Sequence, residues 1–203
     1  MEEIKVPILR DNKKLTVSQM MEYVTNEYPD GIPHGLRIRF IGEPSFNSNT
    51  TMFLIRMAQF GVYPIIETIL PSQSDEWRFP YVNEAINVIN EEYGGTRGIL
   101  KFLIGSTSEK ARKTLYGAVR TMADFSKAVP HFPKLKNDAK IVLSFDTSHP
   151  VDADKILKCF SPSDFAVELK TDSTTLNLGY KDTEAAVKKA GFEIYYEDDE
   201  GSD

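Results

Sequence analysis

The chain reads as an α/β protein, a parallel sheet with helices outside it, and three observations predict this. Apolar runs of strand length alternate with segments of helical period, making roughly six β–α units along the chain. Helix-start and helix-stop signals fall between the strand runs. No repeat and no low-complexity tract interrupts the series. Right-handed crossovers turn such units into either an open sheet or part of a barrel. In both, ligands sit at the carboxyl ends of the strands.

The elements follow in order. Ile4 to Leu9 is a first strand, which passes through Arg10-Asp11-Asn12-Lys13-Lys14 to a helix start. Thr16-Val17-Ser18-Gln19 has capping-box form, and Val17, Met21, Val24 and Tyr28 then share a helical face. Leu36 to Ile41 is the second strand, closed by Gly42-Glu43-Pro44 before a helix that opens between Asn47 and Thr51 and stops at Gly61. Val62 to Leu70 is the third strand. Phe79 to Tyr93 is a helix ended by Gly94-Gly95, and Gly98 to Ile104 is the fourth strand.

Ser106 and Glu109 have the spacing of a second capping box, with Ala111, Leu115, Val119 and Met122 aligned on the helix that follows. Lys140 to Phe145 is the fifth strand. Asp152 to Phe160 is a helix with Ile156, Leu157 and Phe160 inward. Phe165 to Leu169 is the sixth strand, Thr183 to Ala190 the sixth helix, and Phe192 to Tyr196 a last strand. Residues 1–196 are expected to form a single domain, and 197–203 an acidic tail with nothing to bury.

Composition narrows the chemistry. A net charge of −6 argues against a general nucleic-acid-binding surface. No run approaches the eighteen or so apolar residues of a membrane span, and the acidic start Met1-Glu2-Glu3 is unlike a signal peptide. The expectation is a cytoplasmic protein with no membrane partner. The single cysteine, Cys159, excludes an internal disulfide and a thiolate-held iron–sulfur cluster on this chain.

Among polar residues, Gly42-Glu43-Pro44 stands out. A glycine at a strand's carboxyl end lets the backbone approach a ligand, and a carboxylate beside it grips an amine. Arg37 and Arg39 alternate with apolar residues on the second strand, so they either pair in an interior with Glu43 or Glu67 or mark an open edge. An arginine-lined interior beside Glu43 also suits an anion. Lys101 and Glu168 interrupt their strands in the same way. Asp146-Thr147-Ser148-His149 follows the fifth strand as a small polar cluster. His34, His131 and His149 lack metal-ligand spacing, and residues 127–140 fit either a solvated loop or an RNA contact.

Arg39-Phe40-Ile41-Gly42-Glu43-Pro44-Ser45-Phe46-Asn47 resembles the segment that holds the methionyl amine in the radical S-adenosylmethionine superfamily, closest to its ribosomal-RNA adenine-methylating branch. Glu67 to Pro71, Leu100 to Arg112 and Lys155 to Leu169 are similar to that branch's third strand, fourth strand with helix cap, and fifth helix with sixth strand. The resemblance spans residues 4 to 180 and implies a (β/α)6 partial barrel. It implies S-adenosylmethionine as cofactor, with contacts at Gly42, Glu43, Pro44, Ser106 and Ser173.

The departures are as informative. The family carries three cysteines, C-x3-C-x2-C, in a long loop after its first strand, and that loop is missing here. Leu103 stands where the family usually has a ribose-touching Ser, and Lys170-Thr171-Asp172-Ser173 where it often has Asn or His. The branch's methyl-carrying cysteine has no counterpart. The expected function is therefore a cluster-less, non-catalytic binding or regulatory module with a protein partner or a second copy of itself. The alternative is a part of a multi-chain radical S-adenosylmethionine enzyme, or of another S-adenosylmethionine-dependent one, acting on RNA or nucleotides.

Overall fold

The structure, a computed structural model, describes residues 2–69, 98–117, 121–128, 140–171 and 179–197. The described residues fall into two compact units, one comprising 2–68, 98–100 and 140, the other 69, 101–117, 121–128, 141–171 and 179–197. In the first, β1 (Glu3–Pro7) leads to a hairpin of β2 (Leu9–Arg10) and β3 (Lys13–Lys14). Then come α1 (Val17–Glu27), β4 (Arg37–Ile41), a 3-10 turn over Pro44–Phe46, α2 (Asn49–Ala58) and β5 (Tyr63–Thr68). The second unit holds most of β6 (Ile99–Gly105), then α3 (Glu109–Tyr116), α4 (Met122–Ala128), most of β7 (Lys140–Asp146), α5 (Ala153–Cys159), β8 (Ala166–Lys170), α6 (Tyr180–Lys189) and β9 (Glu193–Ile194).

Seven strands make one sheet in the order β1-β4-β5-β6-β7-β8-β9, and the pairs β1/β4, β4/β5, β7/β8 and β8/β9 run parallel. Among the described residues this order follows the order of the strands along the chain. Among the described residues, no helix is long and apolar enough to cross a membrane.

In the first unit the two faces of the sheet differ. Ile4, Val6 and Ile38 are buried, α1 packs on β1 and on α2, and Met20 and Val24 of α1 and Phe53, Leu54 and Met57 of α2 are buried as well. The Phe40 ring meets Phe53 edge-on, with 6.0 Å between centroids. The parallel register sets Glu3 beside Arg37, Lys5 beside Arg39, and Arg37 beside Tyr63, so these side chains share the opposite face.

The capping box at Thr16 is present in full: Gln19 N donates to Thr16 Oγ1, and Thr16 N donates to Gln19 Oε1. The buried stripe of α1 is centred on Met20 and Val24, with Val17, Met21 and Tyr28 half-buried beside it. The connection after β1 is not a plain loop. Asp11 and Asn12 take positive φ (51° and 60°) and close the β2–β3 hairpin in two residues. That left-handed pair is what a tight hairpin turn requires, and Asp and Asn tolerate it best after Gly.

Three expected details change in the second unit. The helix after β6 is capped by Ser108, whose hydroxyl accepts from Ala111 N, and not by Ser106. It ends at Gly117, whose φ of 75° cannot continue a helix, so Met122 belongs to the separate α4. On α5, Ile156 and Phe160 are buried but Leu157 is exposed, because a seven-residue helix turns only one i, i+4 row inward. The expected helix over 79–93, Gly94-Gly95, Val119, His131 and most of the basic stretch lie outside the described residues.

Candidate functional site

The carboxyl end of β4 is built by three successive residues. Gly42 has φ 102°, a left-handed backbone that a side chain would strain. Glu43 is extended and caps the 3-10 turn, and Pro44 supplies the fixed φ of its first position. The Glu43 carboxylate stays at the strand end because one oxygen, Oε1, accepts from Ser45 N (3.3 Å) and from Thr68 Oγ1 (2.7 Å). Thr68 is fully buried at the carboxyl end of β5, so two adjacent strands position this acid.

Asn47 anchors the neighbouring connection. It is fully buried, and its Nδ2 donates to Ile8 O (2.9 Å) and Leu15 O (2.8 Å), on either side of the β2–β3 hairpin. Its Oδ1 accepts from Asn49 N, and Asn49 Nδ2 also reaches Leu15 O. The hairpin therefore lies fastened beside Gly42–Pro44. Ile8 packs under Gly42 as well.

Deeper on the same strands, Arg39 is buried between two carboxylates: Nε donates to Glu3 Oε2 (2.8 Å), and Nη1 lies 2.9 Å from Glu67 Oε1. Burial by itself would lower its pKa, but the hydrogen bond it donates to Glu3 and the charges of Glu67 and Glu3 outweigh that and raise it. The expected pairing of Arg39 with Glu67 is thus present, with Glu3 as a partner the sequence did not announce. Arg37 Nε is buried without a hydrogen-bond partner among the described residues.

The second unit has its own polar cluster. Lys101 is fully buried, with Nζ 2.7 Å from Glu168 Oε1 and 2.7 Å from Glu197 Oε2. The same Nζ lies 4.9 Å from the centre of the Tyr195 ring. Ser144, beside Glu168 in the β7/β8 register, donates to Glu168 Oε2 at 2.6 Å, and Lys170 Nζ stands 3.6 Å from it. Burial pushes the Glu168 carboxyl up, but Lys101, Ser144 and Lys170 together hold it below its ordinary value. Glu197 was expected at the head of an idle tail, yet it is the second counter-ion of a buried lysine.

Of the remaining candidates, Ser106 is fully buried: its hydroxyl donates to Pro150 O (2.7 Å) and accepts from Ser108 N (3.0 Å). Ser173 lies outside the described residues. The Asp146–His149 cluster is a turn, in which Asp146 Oδ1 accepts from Ser148 N and Oγ, and Asp146 O from His149 N. Cys159 is half-buried, and burial raises its thiol pKa, with a smaller push from Glu109. Its surroundings do not suit a cluster ligand, which must be a thiolate. Among the described residues no three His, Cys, Asp or Glu side chains gather as metal ligands.

The sequence did not single out Glu3, Thr68, Asn47 or Ser144. For Ser144 the period-two alternation of β7 against β8 was the available signal. The others depend on contacts between segments far apart in the chain. Comparison with protein-family models, with curated proteins and with solved structures found no match.

Proposed function

We propose that this chain is a cluster-less protein of radical S-adenosylmethionine type, a cytoplasmic, non-catalytic binding or regulatory module on a partial barrel. The observation that carries the reading is the Glu43 carboxylate, lodged at the carboxyl end of β4 by Ser45 N and Thr68 Oγ1 beside a left-handed Gly42. That is where a parallel α/β sheet receives ligands, and a fixed carboxylate there suits an ammonium group. Among the described residues the strand order follows the chain, which supports a barrel-like sheet, as do the charged side chains that share one face of the first unit.

For S-adenosylmethionine, Glu43 would receive the methionyl amine, and Gly42 would let the backbone come close. The iron–sulfur cluster of that family does not fit: Cys159 is the chain's single cysteine, and a β-hairpin occupies the connection after β1. Among the described residues β1 and β9 are the terminal strands of the sheet order, and an edge strand favours cover by a protein partner or a second copy.

Calorimetric titration of S-adenosylmethionine into the full chain tests the reading. Binding in the micromolar range is expected. Glu43→Gln, which keeps the turn's acceptor oxygen but removes the charge, should weaken it by roughly 10- to 100-fold, the loss of one charge-assisted hydrogen bond. No binding by the wild type, or equal affinity in the variant, refutes it. So does a cluster absorbance formed by the chain alone on anaerobic iron and sulfide reconstitution.

A further inference from the structure

Arg37 carries an inference separate from Glu43. The register of β4 sets it between Glu3 on β1 and Tyr63 on β5, three side chains on one face of the sheet. Glu3 is its partner along the ladder, yet that carboxylate turns to Arg39 and accepts from Nε at 2.8 Å. Glu67 goes to Arg39 as well, with Oε1 2.9 Å from Nη1. Arg37 is half-buried, and its Nε is shut off from solvent without an acceptor. Among the described residues its side chain makes neither a hydrogen bond nor an ion pair. Lys5 shares this face, beside Arg39 in register, and is exposed and equally without an ion pair among the described residues.

Of the two arginines that alternate along β4, one is therefore held by two acids and the other is left over. A buried donor without an acceptor bears the whole cost of its desolvation, and an arriving acceptor removes that cost. We propose that Arg37 is the anchor of an oxyanion-binding site on this face, taking a small carboxylate or phosphate group. The guanidinium fork gives Nε–H and one Nη–H to two oxygens of the same group, the geometry in which arginine surpasses lysine for both anions. A turn of the flexible side chain brings Nε out to the ligand. Lys5 contributes attraction as a point charge. Arg39 stays with Glu3 and Glu67.

Nuclear magnetic resonance of the isotope-labelled full chain tests this through the Nε–H signals of Arg37 and Arg39, each assigned through bonds to its own backbone. Sodium acetate and sodium phosphate, titrated against sodium chloride at matched ionic strength, should move the Arg37 signal along a saturable curve. The Arg39 signal, already bonded to Glu3, should hold nearly still. Movement with acetate alone assigns a carboxylate ligand, with phosphate alone a phosphate group, and with both their shared chemistry. The backbone amides of Glu3 and Tyr63 should follow the same curve, and in Arg37→Gln their apparent affinity should fall at least about tenfold. No saturable movement with either anion overturns the proposal, as does equal movement with chloride or unchanged affinity in Arg37→Gln. Should that variant not fold, the wild-type signals decide alone, because Arg39 moving as far as Arg37 is equally fatal.

Discussion

Replacing Lys101 with Met, nearly the same shape without the charge, is the most demanding test of how the second unit is held together. The Nζ–Oε1 separation of 2.7 Å to Glu168 corresponds to about 6 kcal/mol of attraction at an effective dielectric of 20. Part of that is returned, because the variant no longer buries an ammonium group. A net loss of about 3–5 kcal/mol remains, since Glu168 is left buried with Ser144 and the more distant Lys170.

The pH dependence sharpens the prediction. In the wild type the folded Glu168 pKa is depressed below its ordinary 4.5. Its contribution to stability is therefore present above the unfolded pKa and lost as pH falls through the lower folded one. In Lys101→Met, burial, already the largest single influence on Glu168, is no longer outweighed and the direction reverses. Protonation then relieves the variant as pH falls from neutral, so the gap to the wild type narrows with acid. Chemical unfolding followed by circular dichroism across pH 4–7, with Lys101→Met/Glu168→Met closing a double-mutant cycle, measures both. A loss below about 1 kcal/mol at neutral pH, with the gap constant across the acid range, would refute the account of a coupled buried pair.

Two other perturbations follow from the packing. Asn47→Asp turns the donors facing Ile8 O and Leu15 O into a carboxylate, and should cost roughly 2–4 kcal/mol at neutral pH. Hydrogen exchange should speed first in the β2–β3 hairpin, and partial recovery in acid is expected as the new carboxyl gains a proton; unchanged hairpin exchange contradicts the anchor. Gly105→Ala places a Cβ 2.8 Å from Leu115 Cδ1 and Tyr116 Cε2 at φ 74°, which should lower stability by about 2 kcal/mol or more, read as a lower melting temperature.

Much of the fold was legible because its signals are local. A capping box such as Thr16–Gln19 involves four consecutive residues and acts before any tertiary contact forms. Alternation and strand length located β4, β5, β6, β7 and β8 within a residue or two. Gly117 was a local signal too, but the apolar spacing from Ala111 to Met122 suggested continuity, and a left-handed glycine overrode it. Asp11-Asn12 was likewise a hairpin signal of two residues, hidden by the shortness of the strands it joins.

The site divides along the same line. Gly42, Glu43 and Pro44 were recognisable as a tripeptide, because a strand-ending glycine with a rigid successor is a property of adjacent residues. What the carboxylate is tied to was not, since Thr68 meets it from another strand. The sequence alone determined the α/β class, the rough element boundaries and the lack of thiolates for a cluster, all of which rest on composition and short-range order. Only the tertiary structure decided that Lys101 is shared by Glu168 and Glu197, and that Asn47 ties down the hairpin. Those partners stand 67, 96, 39 and 32 positions away in the chain, and a buried polar group takes whichever partner the fold brings within reach.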